Sequence, residues 1–521
     1  MFSVAIIYNF TVTAVLLIVA YAVLKGFYNI FLHPLSAIPG PWYAAASNFW
    51  LTTHVVRLEQ CKIVHQLFEK YGPVVRVGPN KVFFNDLAST RGVYSVHKFD
   101  KSEYYKSLLT NNNDHAMTTL DHAPHAIIRK GYAPHYASAN LAKFQPDIHE
   151  PMVELVNNVR NIGGKSPIEC LTLFRNLMVD VIVSTSYGYR LHAVKKWASD
   201  NEDPLSTAIS DFPKRGIIRS VVPSWAWNLV CRIPLVRWRQ LCDSDKIMAE
   251  FVSERVYQAR TEMNSGALDG NADSVPLLHR LLTYRYSSTG QTMPENDIIS
   301  EAMGHMIAGS DTTSISVSYF LWEMSRRPDI TAKLQAELDE AMPNAHAIPD
   351  ISVLQSLPYL NAFIKEGLRV YSAAPSPLER VVPQIPSKTG AVNAGFDLMG
   401  FELPPGTVVA TQAWSMHRNP AIFPSPDTFS PERWLETDQP GSVEHLARMQ
   451  QNMMPFGTGS RVCGGQNLAQ VMLKVLMAAM VRNFDILAPS ETNERSMEIK
   501  DSFVIFPSAM ECKLIFRPRS S

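Results

Sequence analysis

The 521-residue chain has no lysine or arginine before Lys25, no Cys-x-x-Cys pair, no internal repeat, no low-complexity tract and no Gly/Ser-rich linker. It also has no net charge, because 48 Lys+Arg are cancelled by 48 Asp+Glu, so it offers no electrostatic footprint for nucleic acid. Charged residues are scarce at 18% against 46% hydrophobic, which excludes a disordered chain. The six cysteines (Cys61, Cys170, Cys231, Cys242, Cys463, Cys512) lack the spacing of a zinc ribbon or a disulfide scaffold, so most are expected to be buried thiols. The length allows about three domains at roughly 100–200 residues each. With no linker to divide it, residues 46–521 read as one large domain.

What is present begins with a hydrophobic run from Phe2 to Leu24, interrupted only by Ser3, Asn9, Thr11 and Thr13. As a helix it spans about 30 Å of hydrocarbon. Ala20-Tyr21-Ala22 has the look of a signal-peptidase site, but a signal peptide needs a basic n-region, so residues 1–30 read as a membrane anchor. The first positive charge lies on the C-terminal flank, which places the following chain on the cytosolic side, as at the endoplasmic reticulum. Asn9-Phe10-Thr11 is a formal glycosylation sequon inside the apolar span and carries no weight. Residues 31–45 contain Pro34, Pro39 and Pro41, which end the helix and form a stiff hinge. Beyond it, Val74–Val77 and Val82–Phe84 flank the turn Gly78-Pro79-Asn80 and read as a strand pair. Helical spacing dominates Leu155–Tyr187, Ser244–Met263 and Ile298–Ser325. Surface loops are expected at Asn264–Ser274 and Asp438–Val443, and irregular chain from Pro420 to Pro431. The fold class is mainly α with a minor β-sheet.

The most informative segment is Pro455-Phe456-Gly457-Thr458-Gly459-Ser460-Arg461-Val462-Cys463-Gly464-Gly465, followed by the apolar helix Gln466–Met480. Its glycines allow sharp bends and close backbone approach, and Cys463 falls at a helix N-terminus, where N–H groups and the helix dipole favour a thiolate. A dinucleotide loop G-x-G-x-x-G starting at Gly457 needs glycine where this chain has Val462. Phe456-Gly457-x-Gly459-x-Arg461-x-Cys463-x-Gly465 resembles, at every fixed position, the haem-binding signature of the cytochrome P450 family. The resemblance implies the P450 fold, a single large haem domain behind an N-terminal transmembrane helix. It also implies haem b as cofactor, with Cys463 as the axial iron ligand, Arg461 on a propionate and Phe456 near the sulfur.

Three further elements fit the same resemblance. Ala308-Gly309-Ser310-Asp311-Thr312-Thr313 lies in a long helical run, where Gly309 costs up to about 1 kcal/mol against alanine. That penalty is expected where one face must leave space for dioxygen and substrate. Asp311 and Thr312 supply an acid and a hydroxyl for proton delivery. Glu366 and Arg369, three apart on one helix face, resemble the family's E-x-x-R element, with Arg433 as third member of a structural triad. Trp434 stands where the family more often has phenylalanine, a difference expected to affect packing alone. His125 and Arg129, four apart on one face, resemble the W-x-x-x-R element that contacts propionate, and Arg380 matches another such position.

The reaction implied is a monooxygenation: one atom of O2 enters a C–H or C=C bond and the other leaves as water. About forty residues follow Met480, so electrons are expected from a separate NADPH–cytochrome P450 reductase on the same membrane. The resemblance places Met117, His305, Met306, Ala308, Gly309, Ala373, Ala374, Pro377, Leu378, Val504 and Ile505 around the substrate, a mostly apolar set that suits a hydrophobic small molecule. Of these, His305 reads more readily as a helix-face histidine than as a substrate ligand. Phe31–Leu35 with Ile38-Pro39-Gly40-Pro41 is similar to anchors of fungal secondary-metabolism enzymes, pointing to a terpenoid or alkaloid. The rival readings are a haem-thiolate isomerase or dehydratase, a non-catalytic membrane haem protein, and a haem-free membrane protein with an inert Cys463.

Overall fold

The computed structural model describes residues 2–199, 201, 203–265, 274–287, 289–384, 395–437 and 440–519. Most of the loop expected at Asn264–Ser274, and Asp438, lie outside the described residues. The chain forms two compact units, Met1–Ser102 with Pro377–Met416, and Glu103–Ser376 with His417–Ser521.

The first unit starts with the helix Phe2–Phe27, continued by a wider turn over Tyr28–Leu32. Residues Phe10–Leu32 have mean hydropathy 2.0, so the segment is long and apolar enough to cross a membrane. The prolines end it as expected, but the hinge is not free. Arg76, 2% exposed, donates from Nη1 to the Asn29 carbonyl at 2.8 Å and from Nη2 to the Pro79 carbonyl at 2.6 Å. Its own N–H donates to the Pro39 carbonyl at 2.8 Å. The predicted strand pair forms, with Val74–Gly78 antiparallel to Lys81–Phe84. It is extended by Val408–Ala410, Arg380–Val381 and Asp100–Lys101, in that order, to five strands.

The second unit is built around a 32-residue helix, Glu295–Arg326, almost every turn of which is buried. This central helix packs along Cys170–Tyr187, another helix buried nearly all round. Helices buried on so many sides belong to the middle of a large core. Met477, Met480, Leu473 and Val475 of Gln466–Asn483 join the same core. Small antiparallel sheets close its edge: Ile168–Glu169, Lys513–Pro518 and Phe484–Leu487 form one, and the hairpin Ile499–Ser502/Val504–Pro507 another.

The glycine at 309 departs from expectation. A Cβ there would lie 2.4 Å from Cδ1 of Ile182, so the missing side chain lets the two core helices cross closely and does not open a ligand-facing gap. The residue breaks no helix because tertiary packing outweighs its modest propensity cost.

Candidate active site

The segment preceding Gln466–Asn483 is shaped by two glycines in left-handed conformation, Gly457 (φ 75°) and Gly459 (φ 71°), which bend the chain so that the Cys463 N–H reaches the Phe456 carbonyl at 2.9 Å. Gly464 lies against Tyr132, where a Cβ would come 2.6 Å from the ring. Cys463 thus sits just ahead of a helix N-terminus. It is exposed, yet burial pushes its thiol pKa up, against the Gly465 and Gln466 N–H groups and the Arg129 charge that pull it down. The helix-end effect has the expected sign but loses to desolvation in the protein alone. Accessibility and desolvation together describe a thiol facing an enclosed space.

The central helix shows a matching feature. Met303, Met306 and Ser310 are fully buried, whereas Ala308 is exposed and Thr312 half-buried in the middle of the same core helix. With His305, these residues follow i, i+3 and i+7, one stripe of the helix. An exposed alanine deep in a buried helix marks a gap in the packing, not a solvent face.

Two tyrosines link the stripe to the cysteine loop. Tyr132 stacks edge-on to His305 with ring centroids 4.7 Å apart, and it is the ring that covers Gly464. The Tyr136 hydroxyl is 3.0 Å from His305 Nδ1, and its ring is 3.8 Å from a Cβ built on Gly465. Burial, then the charge of Cys463, raises the Tyr136 hydroxyl well above its ordinary value. His305 Nε2 lies 3.0 Å from Oε1 of Glu301, which is 2% exposed. Burial acts to raise this carboxyl, but the hydrogen bond and charge of His305, with help from His115 and the Ala116 N–H, bring it below the usual range. Glu301, Tyr132 and Tyr136 were missed in the sequence. The available signal was a carboxylate on a helix with no solvent face, which obliges a partner.

Two of the four predicted cations touch or belong to the loop. Arg129 Nη1 donates to the Val462 carbonyl at 2.6 Å, and Arg461 donates to the carbonyls of Thr119 (2.9 Å) and Leu120 (2.6 Å). His125 is buried one turn before Arg129 on the helix His122–Tyr132. Phe456 packs on the main core.

The structure brings Glu366, Arg369 and Arg433 together. Arg369 donates from Nε and Nη2 to the two oxygens of Glu366 (2.9 and 2.8 Å), both side chains having no exposure, and Arg433 Nε donates to Glu366 Oε1 at 2.9 Å. The remaining Arg369 donors reach the carbonyls of His417, Pro426 and Thr428, pinning the proline-rich segment to the helix Pro358–Val370. The reading of Trp434 needs correction. Its Nε1 donates to Glu366 Oε2 at 2.9 Å, a bond phenylalanine cannot make. His417 Nε2 accepts the Met454 N–H at 2.8 Å while Nδ1 faces the Arg369 carbonyl at 3.2 Å, which defines a neutral Nδ1–H tautomer.

Other positions scatter more widely. Asp311 is not free on the open stripe; it pairs with Arg175 Nε at 2.6 Å. Thr312 Oγ1 donates to the Ala308 carbonyl at 2.8 Å. Met306 and Ile505, expected near substrate, are wholly within the core, since Met306 projects from a different side of the helix than His305 and Ala308. Met117, Ala373, Ala374 and Val504 are half-buried in the second unit, and Ala373 accepts the Ile505 N–H at 2.9 Å. Pro377, Leu378 and Arg380 belong to the first unit, where Leu378 packs on the sheet core and the Arg380 guanidinium lies 4.9 Å from the Tyr94 ring centroid.

Among the described residues no three His, Cys, Asp or Glu side chains converge to hold a bare metal ion. One thiol facing an enclosed space, with Arg461 on the same loop and Arg129 bonded to it, instead suits a metal that arrives in a macrocycle bearing carboxylates.

The model of the family described as cytochrome P450 matches residues 38–514. The chain is similar to the "Cytochrome P450 monooxygenase cypX" of Dothistroma septosporum, 27% identical over 96% of this chain and 94% of that protein. It is likewise similar to the "Cytochrome P450 monooxygenase stcB" of Emericella nidulans (28%, 90% and 86%) and to the "Cytochrome P450 monooxygenase aflV" of Aspergillus parasiticus (28%, 94% and 93%). Among solved structures it resembles the haem domain of cytochrome P450DA, with a TM-score of 0.74 at 20% identity over 93% of this chain and 98% of that one.

Proposed function

Because this chain belongs to the cytochrome P450 family, we propose that it is a membrane-anchored haem-thiolate monooxygenase that inserts one oxygen atom of O2 into a hydrophobic small molecule. The observation that carries this reading is the Cys463 thiol, accessible yet desolvated, on a loop joined through Tyr132 and Tyr136 to the open stripe of the central helix. When bound, haem b supplies activation of dioxygen at its iron. Cys463 would be its thiolate ligand, and Arg129, Arg461 and His125 would hold its propionates.

The protein's own share is proton delivery and exclusion of water. The Thr312 hydroxyl, now donating to the Ala308 carbonyl, sits on the open stripe and can turn to hold a proton there. Asp311 is the next acid along the helix, paired with Arg175. Half-buried, mostly apolar walls suit a substrate of low polarity. The fungal origin of the similar proteins, together with the anchor and hinge sequence, favours a terpenoid or alkaloid of secondary metabolism. The Phe10–Leu32 segment is the anchor, in the endoplasmic reticulum with the rest of the chain on the cytosolic face, where an NADPH–cytochrome P450 reductase donates electrons.

The test is the carbon monoxide difference spectrum of the reduced protein, followed by product formation dependent on NADPH and reductase with fed terpenoids and alkaloids. A red-shifted thiolate Soret band in the wild type and its loss in Cys463→Ser support the reading; retained turnover in Cys463→Ser refutes it. Product formed without NADPH would instead identify an isomerase or dehydratase.

A further inference from the structure

The segment Thr110–Ala116 is laced to the central helix. The Thr110 and Ser300 hydroxyls are 2.7 Å apart, and both residues have no exposure. Ser300 Oγ is also 3.0 Å from the carbonyls of Thr110 and Asn113. Asn113 Nδ2 donates to Asp297 Oδ1 at 2.8 Å, and the Ala116 N–H donates to Glu301 Oε2 at 2.8 Å. The His115 ring fills the place of a side chain at Gly304, 2.6 Å from a Cβ built there.

On the helix, the receiving residues are 297, 300, 301 and 304. At 100° per residue they fall on the same stripe as His305, Ala308 and Thr312, so the lacing and the open face are successive stretches of one helix edge. Glu301 stands at the junction. One carboxylate oxygen holds the Ala116 N–H; the other holds His305, whose second ring nitrogen meets the Tyr136 hydroxyl. It is the one residue in the set that bonds both to the laced segment and to the groups beside the cysteine loop.

We propose that Glu301 is a positioning residue that fixes the laced segment and the His305–Tyr136 pair in a single arrangement at the end of the open stripe, and so sets the length and orientation of substrate the site accepts. The inference rests on the monooxygenase reading and adds to it the element that shapes the pocket.

The experiment uses the full-length holoprotein and a graded series of n-alkylimidazoles, whose nitrogen binds ferric iron and whose tails probe the pocket optically. Wild type should show a preferred tail length. Glu301→Leu removes both acceptors and should weaken binding at that length about tenfold, the scale of one charge-assisted hydrogen bond. Imidazole itself should bind unchanged. Hydrogen exchange in peptides covering 110–117 should accelerate about tenfold by the same reasoning, and Glu301→Gln, which keeps one acceptor, should fall between. If Glu301→Leu does not fold, Ser300→Ala carries the test, loosening the segment without touching a charge. An intact thiolate band with unchanged length preference and unchanged exchange overturns the proposal. Absence of the thiolate band in wild type sinks the haem reading instead, and unchanged exchange in Glu301→Leu then still refutes the lacing role.

Discussion

Acid should weaken this fold in a defined window, and His417 supplies a measurable share. The residue is fully buried between Arg369 and Met454, and burial, reinforced by the charges of Arg369 and Arg418, lowers its pKa to about 3. An unfolded histidine titrates near 6.5. Between those values the unfolded chain binds a proton that the native protein does not. Stability is therefore complete above pH 6.5 and falls by about 1.36 kcal/mol for each unit below it, until the native pKa is reached. At pH 5 the loss from this residue is about 2 kcal/mol. The physical reason is local: a proton on Nε2 would confront the Met454 N–H that this nitrogen now accepts. Urea unfolding followed by tryptophan fluorescence at pH 5, 6 and 7 measures the effect. His417→Asn keeps a donor toward the Arg369 carbonyl but cannot titrate. It should be less stable at pH 7, because the Met454 N–H is orphaned, yet lose about 2 kcal/mol less than wild type on going to pH 5. His135, also lowered to about 3 by burial with His305 and Arg280, titrates in the same window and accounts for slope that remains. Identical pH dependence in wild type and His417→Asn would refute the assignment.

Three other perturbations have definite outcomes. Trp434→Phe removes one of the donors to a buried carboxylate and should cost about 1.5–3 kcal/mol in denaturant unfolding, whereas a packing role alone predicts a change under about 0.5 kcal/mol. Arg175→Leu leaves the Asp311 carboxylate nearly buried and unpaired and should destabilise by about 3–5 kcal/mol, with Asp311→Asn added to the same chain restoring part of the loss; additivity of the two would contradict a direct pair. Gly309→Ala should force the two core helices apart at Ile182 and cost about 1–3 kcal/mol of stability, and Ile182→Val, which lacks the Cδ1 in the way, should recover most of it.

The parts of the site that were legible in sequence are those carried by short spacing. Phe456 to Gly465 is one loop, and Glu366 with Arg369 is one helical turn, so residue type and interval suffice to place them. The long central helix announced itself by its apolar content. What escaped notice joins residues far apart in the chain: Arg175 to Asp311, Tyr136 to His305, Ala116 to Glu301, and Thr110 to Ser300. Spacing carries no trace of such pairs. Composition does carry one, because Asp297, Ser300, Glu301, Ser310 and Asp311 are polar residues on a helix predicted to be core, and buried polar groups demand partners. The glycine at 309 was legible as an oddity but not in its use, since a missing side chain serves a ligand and a neighbouring helix equally well until the neighbour is known.

The Arg76 guanidinium has a bearing on how this protein can be produced. Its Nη1 acceptor is the carbonyl of Asn29, which lies inside the apolar segment that ends at Leu32. The last turn of that segment is thus part of the folding unit of the sheet, even though the turns before it are bare. A version shortened for solubility keeps the Asn29 acceptor when cut ahead of Tyr28, whereas a cut at the hinge prolines strips that acceptor from a buried cation beside the five-stranded sheet.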